Sequence, residues 1–156
     1  MPSKTNVLKP YLRLIRNPAW LCFAWFGKTA AISLHEAPVK FTAPTITREI
    51  ALDVGRVVFS ALNKVELAAL VLTLVLVRAS GLARQLWAPC AALVLILLLQ
   101  SVWLLPELSQ RSLDIVRGVT PGASPAHLLY GAAELAKLLL LLIIGFRSLR
   151  LTGQAA

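Results

Sequence analysis

Four ionisable side chains lie within long apolar stretches of the sequence: Lys28, Glu66, Glu134 and Lys137. A charge at the centre of a membrane helix costs about 2.5–3.5 kcal/mol on insertion scales, so such residues usually face a bundle interior or a water-filled cavity. Two kinds of chemistry follow from their types. A lysine can neutralise a carboxylate and hold helices together, or a carboxylate can bind a solute or carry a proton.

The polar residues around these charges recur at helical spacing, which places them on one face of each of four predicted helices. The faces are Trp25, Lys28 and His35 in the first; Asn63, Glu66 and Thr73 in the second; Gln100 in the third; and His127, Tyr130, Glu134 and Lys137 in the fourth. We expect these faces to point inward and to bring together Lys28, Asn63, Glu66, Gln100, Tyr130, Glu134 and Lys137. Because Lys137 can pair locally with Glu134, three residues away, Glu66 is the expected ion-pair partner of Lys28.

Two histidines offer a different chemistry at the edge of this region. His35 ends the first predicted helix and His127 begins the fourth, so they share a depth and are candidate ligands of a haem or a metal ion. The default interpretation is a pair of interface histidines bonded to water or backbone, with no cofactor and no metal. The sequence contains no nucleophile–base arrangement, phosphate-binding loop or paired-carboxylate hydrolytic site, so no catalytic residue is assigned and no enzyme is predicted.

The composition explains why apolar residues surround these charges. The chain has 156 residues, of which 58% are hydrophobic, and its mean hydropathy is +0.74, whereas soluble domains are about 45–50% apolar. Four stretches approach the about 20 apolar residues that a membrane helix needs: 19–37, 57–77, 86–105 and 126–146. The sequence therefore predicts one all-α domain over residues 1–156, an integral membrane four-helix antiparallel bundle.

Prolines mark the expected limits of these helices. Pro106 is predicted to end the third helix, because proline removes a helical hydrogen bond and clashes with the preceding turn. The backbone between Pro38 and Pro44 is predicted to be extended, because each proline disfavours helical geometry in the residue before it. The amphipathic segments 45–56 and 107–117 are predicted to be helical pieces at or beyond the membrane surface.

The formal net charge of +9 indicates membrane topology rather than nucleic-acid binding, since the basic residues flank apolar runs and form no separate basic–aromatic patch. One predicted side carries Lys4, Lys9, Arg13, Arg16, Arg78, Arg84, Arg147 and Arg150, and the other carries Lys40, Arg48, Arg56, Arg111 and Arg117. The positive-inside rule makes the first side cytoplasmic. Both termini are therefore predicted to lie in the cytoplasm of a bacterium, with the protein in its inner membrane and in contact with anionic lipid on the cytoplasmic side.

A pattern similar to that of known membrane proteins occurs at residues 35–66, which read HEAPVKFTAPTITREIALDVGRVVFSALNKVE. It resembles an uncharacterised group of small bacterial four-span membrane proteins and is more distantly similar to the transmembrane protein 205-like family. The shared elements are a tryptophan-bearing first helix, Ala37-Pro38 with Phe41, the run Gly55-Arg56-Val57-Val58-Phe59, Leu62-Asn63 with Glu66, and an acidic fourth helix around Glu134. The resemblance implies a four-helix membrane fold and no established activity.

Three functional hypotheses follow from the sequence. The first is a non-enzymatic membrane protein whose inward polar residues serve helix packing or association with a partner membrane subunit or a second copy. The second is a small-solute or proton-linked transporter that uses Glu66 and Glu134. The third is a haem or metal protein that uses His35 and His127.

Overall fold

The computed structural model describes residues 16–154, and within that range the chain is helical with no β-strand. Helix α1 begins with Ala19–Ala30 and continues through a π-helical turn, Ala31–Glu36, a short α segment, Ala37–Val39, and a 3-10 turn, Lys40–Thr42. Helix α2 is Arg48–Ala79. Helix α3 comprises Ala83–Leu99, a π-helical turn at Gln100–Leu104, and Leu105–Val116. Helix α4 is Ala126–Gln154.

The four helices pack as a square. Helix α1 packs against α2 and α4, and α3 also packs against α2 and α4. Helices α2 and α4 therefore lie on one diagonal of the square, and α1 and α3 lie on the other. The connections at residues 43–47, 80–82 and 117–125 are short, as expected between antiparallel neighbours. The tightest one depends on Gly81, whose φ of 76° is strained for any residue with a Cβ.

Three of the described helices, α2, α3 and α4, are long and apolar enough to cross a membrane. Helix α2 has 32 residues, a length of about 48 Å, and thus exceeds a hydrocarbon core of about 30 Å. Helix α1 is not among the three, and its first regular segment has 12 residues, fewer than the about 20 that a crossing needs. The predicted membrane character is thus supported by three helices, and the predicted fourth crossing is not.

The two proline predictions need correction. Pro106 does not end α3, because the helix continues through it to Val116. The backbone from Pro38 to Thr42 is helical, and extended geometry begins only at Ala43, with ψ 122°. Each proline follows a π-helical turn, in which the hydrogen bonds span one residue more than in an α-helix. This local widening accommodates the missing N–H and the ring, which a regular α-helix does not.

A largely apolar core fills the half of the bundle that contains the α2–α3 turn and the end of α4. All four helices contribute to it, through Cys22, Trp25, Leu70, Val77, Leu86, Cys90, Leu93, Leu97, Leu141 and Ile144. Leu86, Leu93, Leu97, Leu141 and Ile144 are completely buried. The predicted polar residues on α2 and α4 other than Thr73 lie nearer the α1–α2 and α3–α4 connections. Thr73 is completely buried between the core residues Leu70 and Val77, and its hydroxyl donates to the carbonyl oxygen of Ala69.

Helices α1 and α4 are in tight contact where Gly145 faces an aromatic ring. A Cβ built on Gly145 would lie 2.7 and 2.8 Å from two ring atoms of Phe23. The same ring meets Phe146 edge to face, with centroids 5.1 Å apart. A side chain at position 145 would therefore displace Phe23 from this contact.

Gly145→Ala is expected to lower the melting temperature of the purified protein in detergent, by an amount that corresponds to about 1–3 kcal/mol, the usual range for overpacking. Gly131→Ala on the same helix is the control, because no atom lies within 4 Å of a Cβ at that position. That control should be neutral or slightly stabilising, since alanine favours a helix over glycine. Equal melting temperatures for the two variants would contradict the close approach of α1 and α4.

Candidate functional site

Lys137 is the centre of the polar interior and is completely buried. Its Nζ lies 2.7 Å from Oε2 of Glu66 and 2.9 Å from Oε2 of Glu134. Glu134 is on the same helix as Lys137, one turn away, whereas Glu66 is on α2, across the diagonal of the square. One ammonium group therefore neutralises part of two carboxylates and joins two helices that lie on a diagonal of the square.

The second oxygen of Glu66 is bonded to α1. Its Oε1 accepts hydrogen bonds from the indole Nε1 of Trp25 at 3.0 Å and from the hydroxyl of Thr29 at 2.8 Å. Trp25 and Thr29 are one helical turn apart, so both point to the same neighbour. Glu66 is 1% exposed and has donors on both oxygens, as a buried carboxylate requires.

Glu134 is bonded to α1 and α3. Its Oε1 accepts from the hydroxyl of Ser33 at 2.7 Å, and its Oε2 accepts from Nε2 of Gln100 at 2.8 Å. Ser33 lies one further turn along the face of α1 that carries Trp25 and Thr29. We call Glu66, Glu134, Lys137 and their donors Trp25, Thr29, Ser33 and Gln100 the ion-pair cluster.

A separate hydrogen bond completes the connections between the helices. Nδ2 of Asn63 on α2 donates to the hydroxyl of Ser101 on α3 at 2.8 Å, and Ser101 in turn donates to the carbonyl oxygen of Leu97. With the ion-pair cluster, polar contacts now bridge every side of the square: α1 to α2, α2 to α3, α3 to α4 and α4 to α1. Lys137 adds the bridge across the α2–α4 diagonal.

The predicted pairing of Lys28 with Glu66 is not made. Among residues 16–154, Lys28 forms no ion pair and its buried Nζ has no hydrogen-bond partner, although it lies within electrostatic range of Glu66. The prediction assumed that Glu134 would occupy Lys137. An ammonium group carries three N–H donors, so Lys137 serves both carboxylates, and Trp25 and Thr29 take the remaining oxygen of Glu66.

The remaining predicted residues, Tyr130, His35 and His127, lie at the end of the bundle that carries the α1–α2 and α3–α4 connections. Tyr130 packs edge to face on Phe59, with ring centroids 5.7 Å apart. The ammonium of Lys40 lies 5.6 Å from the centre of the Phe59 ring and 3.6 Å from Glu36. Lys40 fits there because Gly55 has no side chain, since a Cβ would lie 2.9 Å from its Nζ. A single layer of aromatic and charged side chains thus covers this end of the interior.

His35 and His127 are both exposed. In the described residues, no group of three or more His, Cys, Asp or Glu side chains is placed to hold a metal ion. The structure therefore adds no observation that joins the two imidazoles into one site.

Three residues of these contacts were missed by the predictions from sequence: Thr29, Ser33 and Ser101. The sequence contains part of the information that would have identified them, because Thr29 and Ser33 follow Trp25 at spacings of four residues along one helical face. Hydroxyl residues are frequent at membrane helix interfaces, so their type alone did not distinguish them.

Comparison of the chain with protein-family models, with curated proteins and with solved structures finds no match. The resemblance to the transmembrane protein 205-like family stays a prediction.

Replacing Lys137 by methionine is expected to destabilise the protein by about 3–5 kcal/mol, because it leaves two buried carboxylates without their shared cation. Lys28→Met is the matched control. It removes an ammonium that has no hydrogen-bond partner in the described part of the chain, so it should be neutral or stabilising. Thermal unfolding in detergent, monitored by size-exclusion chromatography, measures the stability of both variants. A larger loss for Lys28→Met than for Lys137→Met would restore Lys28 as the principal counter-ion.

Proposed function

We propose that this chain is a non-enzymatic, multi-pass protein of the bacterial inner membrane, whose buried polar residues hold its own helices in register. The observation that carries the proposal is the position of Lys137, which bridges Glu66 and Glu134 across the α2–α4 diagonal with no exposure to the surroundings. Each of the four helices supplies at least one side chain to this network.

The burial of the network favours packing within the chain over association with a partner. Glu66, Gln100, Glu134 and Lys137 are each at most 3% exposed, and their hydrogen bonds run between helices of the same chain. A partner subunit held by polar contacts would need several polar groups on the outer surface of the bundle. Apart from Lys64, which is exposed, the large exposed side chains of the apolar stretches are mostly hydrophobic, such as Val71, Leu95, Leu139 and Ile143, which suits contact with lipid tails.

In a membrane, such a network is needed for helix association in a way that it is not in a soluble protein. Lipid tails are as apolar as leucine, so burial of apolar surface does not drive one helix against another in a bilayer. Packing and polar contacts have to select the arrangement, and measured interhelical hydrogen bonds there contribute about 0.6–2 kcal/mol each. An ion pair with fixed partners specifies one register, because any slip of a helix leaves a charge unpaired.

The proposal includes a fourth crossing by α1 and a cytoplasmic location of both termini. Support comes from the contacts of α1, which packs along α4 and supplies Trp25, Thr29 and Ser33 to the interior. The excess of Lys and Arg on the predicted cytoplasmic side sets the orientation. Those basic residues then contact anionic lipid of the inner leaflet.

Single cysteines test this topology. In a background without Cys22 and Cys90, Ala123→Cys in the exposed α3–α4 connection should react with an impermeant thiol reagent on intact cells. Ser3→Cys and Gly153→Cys should react only after lysis. Labelling of Ser3→Cys on intact cells, together with protection of Gly153→Cys, would show that α1 does not cross.

A triple variant tests the packing role. Replacing Glu66, Glu134 and Lys137 together with methionine removes all three charges, so none of these three is left without its partner. The triple variant should therefore be more stable than the single variant Lys137→Met, since apolar replacements of a complete buried ion pair are often neutral or stabilising. A lower melting temperature for the triple variant than for Lys137→Met would contradict a stabilising role of charge pairing in the cluster.

A second candidate, a small-solute or proton-linked transporter, is favoured by one observation. Nζ of Lys28 and Oε1 of Gln100 are buried polar atoms that have no hydrogen-bond partner within the described residues, and a bound solute or ion would satisfy such groups. Proteoliposomes with an internal pH-sensitive dye distinguish the candidates. Proton entry that depends on Glu66 and Glu134 supports transport, and tight vesicles support packing alone.

A further inference from the structure

An open groove runs along the outer face of α4, at the end of the bundle that contains the α2–α3 turn. Its volume is about 330 Å³, and its lining residues are Leu139, Leu142, Ile143, Phe146, Arg147 and Arg150. These residues recur at intervals of three and four, so they form one stripe along the helix. The apolar residues occupy one end of the stripe and the two arginines the other. We call this surface the α4 groove.

The two arginines have no negatively charged partner within the chain. Arg147 and Arg150 are exposed, and among the described residues neither forms an ion pair. No Asp or Glu occurs in the segments that are predicted to share this side of the membrane, which are 1–18, 78–84 and 147–156. An anion that neutralises the two arginines therefore comes from outside the chain.

The spacing of the arginines suits a phosphate group. Residues three apart on a helix are surface neighbours, with Cβ atoms about 5–6 Å apart, so both guanidinium groups can reach one anion. Each guanidinium presents paired N–H donors in a plane, which match two oxygens of a phosphate. Together they offer donors to several oxygens of the same group.

The position of the arginines along α4 places that phosphate at the surface of the bilayer. From Ala126, where α4 begins, the helix rises about 32 Å to Arg147, close to the about 30 Å of a hydrocarbon core. The apolar residues of the groove precede Arg147 and lie on the bilayer side of it, with Leu139 61% and Ile143 44% exposed. An acyl chain beside them would continue directly from a phosphate at the arginines.

The shape and charge of the α4 groove favour a lipid over a soluble ligand or a second copy of the chain. Pockets for soluble ligands usually enclose most of the ligand surface, whereas a lipid tail needs protein on one side only, because other lipids cover the rest. Copies of a membrane protein share one orientation, so a symmetric dimer through this face would set the two arginine pairs against each other. The repulsion among four positive charges disfavours that dimer.

We propose that the α4 groove binds one anionic phospholipid, with its phosphate at the two arginines and an acyl chain along the four apolar residues. The edge-to-face contact of Phe146 with Phe23, whose centroids are 5.1 Å apart, holds one wall of the groove in place. The inference rests on the proposed membrane location and adds a discrete site to the general attraction of basic residues to anionic lipid. It does not depend on the ion-pair cluster or on which leaflet the groove faces.

Native mass spectrometry of the purified full-length protein tests the site, with phosphatidylglycerol and phosphatidylcholine of identical acyl chains as probes. The wild type should bind one phosphatidylglycerol in preference to phosphatidylcholine. Changing Arg147 and Arg150 together to glutamine should weaken that binding by about 10–30-fold, because each basic residue near anionic lipid contributes about fivefold. The matched control changes Arg78 and Arg84, two exposed arginines of the same predicted side that do not line the groove, and should bind almost as the wild type does.

A second pair of variants tests the apolar part of the groove. Ile143→Trp fills the groove while it keeps the surface apolar, so it should also weaken the binding of phosphatidylglycerol. Leu135→Trp, at an exposed position of α4 outside the groove, is its control and should have little effect. This pair decides the question if the double arginine variant does not fold. Inorganic phosphate in large excess should not displace the lipid.

Four results would overturn the proposal: equal binding of the two lipids, equal losses in the two double arginine variants, equal effects of the two tryptophans, or displacement of the lipid by phosphate. A dimer that disappears when Arg147 and Arg150 are changed would also overturn it, because a second copy would then occupy the groove. Failure of the proposed membrane location is seen separately, as wild-type protein in the soluble fraction of lysed cells before any lipid is added.

Discussion

A buried ammonium group needs compensating charge and acceptors for its N–H donors, and this requirement organises the bundle. Lys137 is completely buried, so the low dielectric around it would make an unpaired charge very costly. Two carboxylates meet the requirement, but each of them then needs further donors. Those donors come from α1 and α3, and the demand of one side chain thus extends to all four helices.

The apolar half and the polar half of the bundle consequently make different contributions to the fold. The apolar half, between the α2–α3 turn and the end of α4, is filled by leucine, isoleucine and cysteine side chains, and these interdigitate without directional bonds. Such packing tolerates small changes of shape provided that the volume is kept. The polar half has fixed pairs of donors and acceptors, so it determines which turn of one helix lies beside which turn of the next.

Prediction from sequence succeeded where residue type and periodicity were enough. A charged residue within an apolar stretch usually faces a bundle interior or a water-filled cavity. This constraint explains why the structure brings Glu66, Gln100, Glu134 and Lys137 together, as the helical faces indicated. It failed where the outcome depended on competition between neighbours. The reach of Lys137 across the diagonal displaced Lys28, and the passage of α3 through Pro106 depends on the π-helical turn before it. Neither is encoded in the spacing of the residues alone.

The π-helical turns at Ala31–Glu36 and Gln100–Leu104 contain Ser33 and Gln100, the two neutral donors to Glu134. A π turn holds one residue more than the α-helical turn it replaces, so every later side chain is rotated by about 100° relative to an uninterrupted helix. Deletion of one residue from either turn would leave the sequence of each flanking segment intact. It would nevertheless turn the far end of α1 or α3 to a different neighbour. In these two helices, the orientation of the segment beyond the turn is therefore decided by the number of residues in the turn, independently of their chemistry.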